Sequence, residues 1–264
     1  MGERDSQKAR EILKRVELMH HFFVEPEQIQ DKRIVITGSD VNHIRNVLRM
    51  KPGEELAVSN GMDGKEYRCE ITELYEDSVL CTLRFVKEDG LELPAKVYLF
   101  QGLPKADKME LIIQKAVELG VYEIIPVAAR RCVVKLDAKK EKSKLARWQG
   151  ISEAAAKQSR RRIIPQVRNV MSFSEAAAYA GDMDVKLIPY ELAEDMAKTR
   201  ACIERIMPGQ SVAVFIGPEG GFAEEEITLA LSSRIEPITL GKRILRTETA
   251  GFTVLSFLMY HLEK

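Results

Sequence analysis

"VAVFIGPEGGFAEEEI", Val212 to Ile227, packs an apolar strand, a glycine-rich loop and an acidic helix start into sixteen positions. A glycine-rich turn between strand and helix ordinarily points to a bound phosphate. Here the helix opens with Glu224, Glu225 and Glu226. Three carboxylates in a first turn offset the positive end of the helix dipole that would attract an anion. No Lys follows the glycines as in a Walker A loop, and the spacing is not GxGxxG. The strand, by contrast, is plain: an uninterrupted apolar run bounded by a turn, as in a sheet covered on both faces.

Working outward, strand and helix alternate over the whole C-terminal part. "KVYLFQ" leads to a helix from Lys108 to Leu119, with Met109, Ile112, Ile113 and Ala116 on one face and Gly120 as its stop. "YEIIPV", a helix around Trp148 to Gln158, "IIPQV", the helix "SEAAAYA", "DVKLIPY" and a helix near residues 193–206 precede the quoted stretch. "EPITL" and a last helix from about Thr249 follow it. This order predicts a mostly parallel sheet with helices on both faces, the α/β class. Trp148, at helical spacing with Leu145 and Ile151, reads as core.

Ahead of it, Phe22 to Lys87 is strand-like. "RIVI", "ELAVSN", "KEYRCEIT" and "SVLCTLRFVK" are short and rich in β-formers, with "NGMDGK" as a hairpin turn. One helix, "SDVNHIRNVLRM", is inserted, with Ser39 or Asp40 as its N-cap. The expected organisation is a helical extension over residues 1–18, a small β-barrel over 19–90 and an α/β domain over 91–264, joined by the linker "EDGLELPA".

Ligands of open α/β sheets collect at the carboxyl ends of strands. Three such ends are unusual: "LIPYE" (Leu187 to Glu191), "FIGPEGG" (Phe215 to Gly221) and "LGKRILRTETAG" (Leu240 to Gly251). If their strands are neighbours, the three loops form one cleft with exposed backbone N–H and C=O groups, suited to an adenine edge and a ribose. A neutral or cationic nucleoside derivative fits the acidic surroundings. S-adenosylmethionine, with a sulfonium and an ammonium and no phosphate, is such a molecule. The alternative is a tight turn into a capped acidic helix, with no ligand at all.

Composition is that of an ordinary globular chain of 264 residues, 45% hydrophobic and 30% charged, and no apolar run is long enough to span a membrane. Cys69, Cys81, Cys132 and Cys202 are far apart, which favours free thiols in a cytoplasmic protein over a disulfide framework or zinc site. The four histidines show no metal-ligand spacing either. The zero net charge conceals an asymmetry. Ala128 to Arg168 holds thirteen Lys/Arg against three Asp/Glu, whereas Asn169 to Ala230 holds eleven Asp/Glu against four Lys/Arg. The basic block is either a footprint for a polyanion or a solvated helix face.

"LPKADKMELIIQKAVELGV", "EAAAKQSRR", "FIGPEGGF" and "LGKRILRTETA" resemble the RsmE family of ribosomal RNA methyltransferases, within the SPOUT superfamily. "HHFFV" and "HIRNVLRMKPGEEL" resemble that family's PUA-like N-terminal domain, so the likeness runs in order over about residues 20–262. It implies an RNA-binding barrel, an α/β domain with a deep trefoil knot, a homodimer, and methylation of uridine N3 in 16S ribosomal RNA or the small ribosomal subunit. His20 and His21 stand where the family commonly has an arginine, and Ala106 where it has a glycine.

By the resemblance, Ile216, Gly217, Pro218, Glu219 and Gly220 wrap S-adenosylmethionine. Leu240, Gly241, Ile244 and Leu245 close on the adenine, and Arg246, Thr249 and Ala250 complete that side. Leu187, Pro189, Tyr190 and Glu191 form the third wall. Uracil N3 carries a proton that must leave. Arg246 is the expected stabiliser of charge on O2 or O4, and Glu248 or Glu219 the expected proton acceptor. Favourable charge at a helix start is the other reading of Glu248. The RNA phosphates are expected at Arg130, Arg131, Lys135, Arg160, Arg161 and Arg162, with Lys105 and Lys108 beside them and Arg45, Arg49 and Lys51 on the barrel. Two rival classes remain: an RNA-binding module without catalysis, and a nucleotide-dependent enzyme. Finally, "AGFTVLSFLMYHLEK" is apolar around most of its circumference, so a partner subunit is expected to cover Leu258 and Leu262.

Overall fold

The computed structural model describes residues 19–88, 90–191, 193 and 195–263. The helical extension expected over residues 1–18 lies outside the described residues. The chain divides into two compact units, Met1–Leu91 with Arg160–Ile163, and Glu92–Ser159 with Ile164–Lys264. A single cut near residue 90 does not anticipate the four-residue piece that the first unit takes from the middle of the chain.

In the first unit, β1 (His21–Phe23), β2 (Ile29–Gln30), β3 (Arg33–Thr37), β4 (Glu55–Ser59), β5 (Glu66–Leu74) and β6 (Ser78–Lys87) form one sheet. Its order is β1-β4-β5-β6-β3-β2, antiparallel except for the β1–β4 pair. Alternation decides the faces: Ile34 and Ile36 of β3 are buried while Arg33 and Thr37 are exposed. The β4–β5 turn is held by side chains as well as by its glycines. Asn60 Oδ1 accepts from the N–H groups of Met62 and Asp63, both at 3.0 Å, and Asp63 Oδ1 accepts from that of Lys65 at 2.8 Å. Helix α1 (Ser39–Asn42) runs on into a wider turn, His43–Val47. The sequence pointed to Ser39 or Asp40 as its N-cap, but Gly38 holds that position, at φ 76°, a conformation that favours a residue without Cβ. Arg160–Ile163 joins this unit through an Ile163–Gly61 bridge and through Arg162, which pairs with Glu66 at 3.2 Å and donates to the Lys87 carbonyl at 3.3 Å.

The second unit alternates throughout: β7 (Lys96–Gly102), α2 (Lys108–Glu118), β8 (Glu123–Ala128), α3 (Ala138–Gln158), β9 (Gln166–Val167), β10 (Met171–Ser172) and α4 (Phe173–Tyr179). Then come β11 (Val185–Pro189), α5 (Met196–Glu204), β12 (Ser211–Ile216), α6 (Glu224–Ser232), β13 (Glu236–Ile238) and α7 (Thr247–Leu262). The strands lie in the order β10-β8-β7-β12-β11-β13, with β9 also on β8, and every pairing is parallel. β12, the strand of the opening stretch, lies between β7 and β11. Its residues Val212 to Ile216 are buried, as a strand covered on both faces requires. Phe215 stacks on Phe100 of β7 with ring centroids 4.3 Å apart. Burying each such ring contributes about 1.5–3 kcal/mol.

Helix α2 buries the four side chains expected of it and Val117 besides. Helix α3 starts well before its apolar periodicity. Its first turns, "AKKEKSKLAR", are polar, and Asp137 caps it by accepting from the Lys140 N–H. Trp148 is buried, as expected. Helix α7 departs from expectation. Val254, Leu255, Leu258 and Leu262 are buried by the chain itself, because α7 packs on α2, α5 and β12. An outer face remains: Tyr260 is 85% exposed, with Thr249 also exposed and Phe252, Thr253, Ser256 and Phe257 half-buried.

Candidate active site

Parallel pairing sets the carboxyl ends of β7, β12, β11 and β13 along one edge, in the order β7-β12-β11-β13. The loop after β12 passes directly over the end of β7. A Cβ on Gly102 would lie 2.6 Å from Pro218 N and Cδ, so only glycine allows the approach. The loop then folds on itself, with Gly217 close to Gly221. Gly221 and Gly241 both have positive φ, 67° and 106°, and a Cβ on either would meet no atom within 4 Å. The space before both is open.

A buried polar chain ties this corner together. Gln101, at the end of an apolar strand and 0% exposed, donates from Nε2 to Thr247 Oγ1 at 2.9 Å and to the Gly102 carbonyl at 2.9 Å. Thr247 in turn donates to the Gly217 carbonyl at 2.6 Å. Strand β7, the glycine loop and the start of α7 are thereby pinned at one point. Gln101 Oε1 has no hydrogen-bond partner among the described residues.

Beside this clasp, two carboxylates share one ammonium. Glu219 accepts from Lys108 Nζ at 3.0 Å and from the Lys105 N–H at 3.1 Å. Lys108 Nζ also lies 3.4 Å from Glu248 Oε2, which makes no hydrogen bond to any described residue. Burial pushes the Glu219 carboxyl up, but hydrogen bonds from its own N–H, from Lys108 and from the Lys105 N–H outweigh it, and the net shift is downward. The hydrogen bond to Glu219 raises Lys108. Glu219 therefore stays ionised with its acceptors occupied, whereas Glu248 Oε2 has only the longer ion pair with Lys108.

The acidic start of α6 finds its partners within the chain. Glu225 pairs with Arg130 at 2.9 Å. Glu226 accepts from the Arg130 N–H and from the Ala223 N–H, both at 2.8 Å. Arg131 donates to the Gly220 carbonyl at 3.3 Å. Two of the three glutamates thus serve a contact with the loop after β8, which corrects the inference that this turn faces a ligand.

The other expected site residues divide in the same way. Pro189, Tyr190, Leu240, Gly241, Leu245 and Ala250 are half-buried, and Glu191, Gly220, Arg246 and Thr249 are exposed along the same strand ends. Ile216 and Pro218 are buried behind the glycine loop. Leu187 is 0% exposed, so it backs the third wall and does not line it. Ile244 is 89% exposed and packs against no core of the chain itself. Three expected phosphate contacts are also corrected. Lys108 is committed to Glu219 and Glu248, and Arg161 and Arg162 are buried at 4% and 2%. Arg130 is held by Glu225, Arg45 donates to the Glu76 carbonyl, and Lys51, Arg49, Lys105, Lys135 and Arg160 are exposed. Among the described residues no cluster of three His, Cys, Asp or Glu could hold a metal ion. No described helix is long and apolar enough to cross a membrane.

Sequence reasoning passed over Gln101 and Thr247. A glutamine inside the apolar run "KVYLFQ" was the available signal, since buried polar side chains are seldom without a task.

The residues that build this parallel sheet, its glycine-rich loop and its last helix match the family model described as the RNA methyltransferase domain, over residues 91–259. A model described as the RNA methyltransferase PUA domain matches residues 36–84. The chain belongs to the family of ribosomal RNA small subunit methyltransferase E. It is 39% identical to the protein of that name from Bacillus subtilis over 251 residues, 93% of this chain and 98% of that one. With the one from Synechocystis it shares 31% over 90% of this chain and 77% of the other. The crystal structure of a ribosomal RNA small subunit methyltransferase E from Neisseria gonorrhoeae bound to S-adenosyl methionine matches with a TM-score of 0.76 at 31% identity, over 92% of this chain and 97% of that one.

Proposed function

We propose that the second unit binds S-adenosylmethionine at the ends of β7, β12 and β11, and that the chain methylates N3 of a uridine in 16S ribosomal RNA. The observation that carries this reading is the pair Glu219 and Glu248 around the single Lys108 ammonium, beside glycines whose faces are open. Two carboxylates against one ammonium leave one negative charge uncompensated at that corner, which suits a sulfonium and disfavours a phosphate there. The cofactor supplies an electrophilic methyl group. The chain's own residues hold the reactants in line, so positioning supplies much of the rate. Glu248, the less tightly held of the two carboxylates, takes the N3 proton; Glu219 and Lys108 fix the corner; Arg246 stabilises charge on the uracil oxygens. Titration calorimetry with S-adenosylmethionine in the presence of EDTA should show saturable binding. Binding that required an added divalent cation, or none at all, would contradict the proposal.

Two further parts of the reading have partial support. Helix α7 starts beside Gly217, although β13 lies two strands away across β11. Residues 239–246 must therefore cross the strand ends where the loops after β11 and β12 also emerge, a path compatible with a trefoil knot. The exposed face of α7 around Tyr260 fits a homodimer. Because Leu258 lies in the chain's own core, a charge there would report on folding. Tyr260→Glu is the cleaner probe: light scattering should give half the wild-type mass with an unchanged melting temperature. An unchanged mass would remove this face from the interface. A ribosomal RNA substrate also makes the cytoplasm the place of work.

A further inference from the structure

We infer that the loop Lys242–Arg246 is the lip that holds the RNA strand at the methyl-transfer cleft, with Lys242 and Arg243 on backbone phosphates flanking the target nucleotide and Arg246 left to the base itself. The inference rests on the function proposed above and adds where the substrate is gripped.

Both ends of the loop are pinned. Thr239 and Thr199 exchange hydrogen bonds of 3.0 Å, and Thr247 is bonded to Gly217. The strands to be crossed are about 4.8 Å apart, so the gap is on the order of 10–15 Å. Eight residues reach roughly 27 Å when extended. The segment is therefore slack and arches outward over the strand ends. Lys242, Arg243 and Arg246 are exposed and Ile244 is 89% exposed. No residue from Lys242 to Leu245 makes a hydrogen bond or ion pair with another described residue, and Arg246 forms no ion pair.

Three cations in five positions, with no acid from Pro237 to Thr247, have no internal purpose. Fold stability does not account for them either, because Arg246 stands at the N-cap of α7, where a cation opposes the helix dipole. The basic stretch read from sequence gives the contrast: Arg130, Arg147 and Arg162 are each committed to a carboxylate of this chain. Beside the cleft, the cations left for a polyanion are those of the lip and the exposed Lys105. Phosphates position a strand without reading its sequence, which is what a loop standing over the reacting base must do.

The test compares Lys242→Ala/Arg243→Ala with Lys139→Ala/Lys142→Ala, an equal charge loss on the exposed face of α3. The probe is a full-length 16S ribosomal RNA transcript, titrated at several salt concentrations, with S-adenosylmethionine calorimetry on each protein. The lip variant should bind the transcript about tenfold more weakly at physiological salt, with a log–log salt slope shallower by about 1.4. The α3 variant should keep the wild-type slope, and all three proteins should keep cofactor affinity. Equal slopes for wild type and lip variant would overturn the inference. So would a lip variant that becomes monomeric while keeping the slope, since the loop would then be a subunit contact. A wild type that binds the transcript through the lip but not S-adenosylmethionine would overturn the methyltransferase reading and leave the lip standing.

Discussion

Gly102→Val should weaken S-adenosylmethionine binding by about a hundredfold while the sheet still folds. A Cβ there would stand 2.6 Å from the backbone nitrogen of Pro218, and two further methyl groups crowd the same gap. Backbone cannot turn aside as a long side chain can, so the Gly217–Gly221 loop must shift by on the order of 1 Å. A shift of that size would break about two backbone hydrogen bonds to the cofactor, and at about 1.4 kcal/mol each that is roughly a hundredfold in affinity. The crowding itself costs about 1–3 kcal/mol of stability. Calorimetry and a thermal melt separate the two effects. Gly150→Ala is the counterpart in α3, with nothing within 4 Å, and should raise stability by up to about 1 kcal/mol with no effect on binding. Normal cofactor affinity in the Gly102→Val protein would mean that the close pass of this loop is not part of the site.

Glu248→Gln should lower kcat by about 10²- to 10⁴-fold, the range of a lost general base, with only a severalfold loss of cofactor affinity from the removed charge. Glu219→Gln should behave differently. It removes the partner of Lys108 and of the Lys105 N–H, so both binding and turnover should fall. The pH dependence follows from the direction of the shifts. Glu219 is held below its ordinary value of 4.5, so its contribution is fully present above that value and is lost as pH falls through the folded value. Lys108 is raised above 10.5, so its contribution is present below that value and lost as pH rises past it. Between these limits cofactor affinity should be flat, while kcat keeps its own profile. Equal losses of affinity in the two glutamate variants would remove the distinction drawn between them.

The parallel sheet was legible because buried parallel strands read as unbroken apolar runs, and "VAVFI" is one. The helix starts were less so. Gly38 caps α1 through its backbone angle, and the first turns of α3 carry no apolar periodicity. At the site, glycine and carboxylate types pointed to strand ends that the structure brings side by side. Which charges were already spent could not be read, because pairing is a matter of three-dimensional neighbours. Arg162 and Glu66 lie far apart in sequence, as do Arg130 and Glu225. A run of arginines looks the same in sequence whether it faces solvent or a buried carboxylate.

The central claim is tested most directly by primer extension across 16S ribosomal RNA after incubation with the wild-type protein and S-adenosylmethionine. A methyl group on uridine N3 replaces the proton used in base pairing, so reverse transcription must stop there. The account predicts one new stop, at a single uridine, that requires the cofactor and is lost with Glu248→Gln. Methyl transfer to the RNA without such a stop, or a stop at another base, would contradict it.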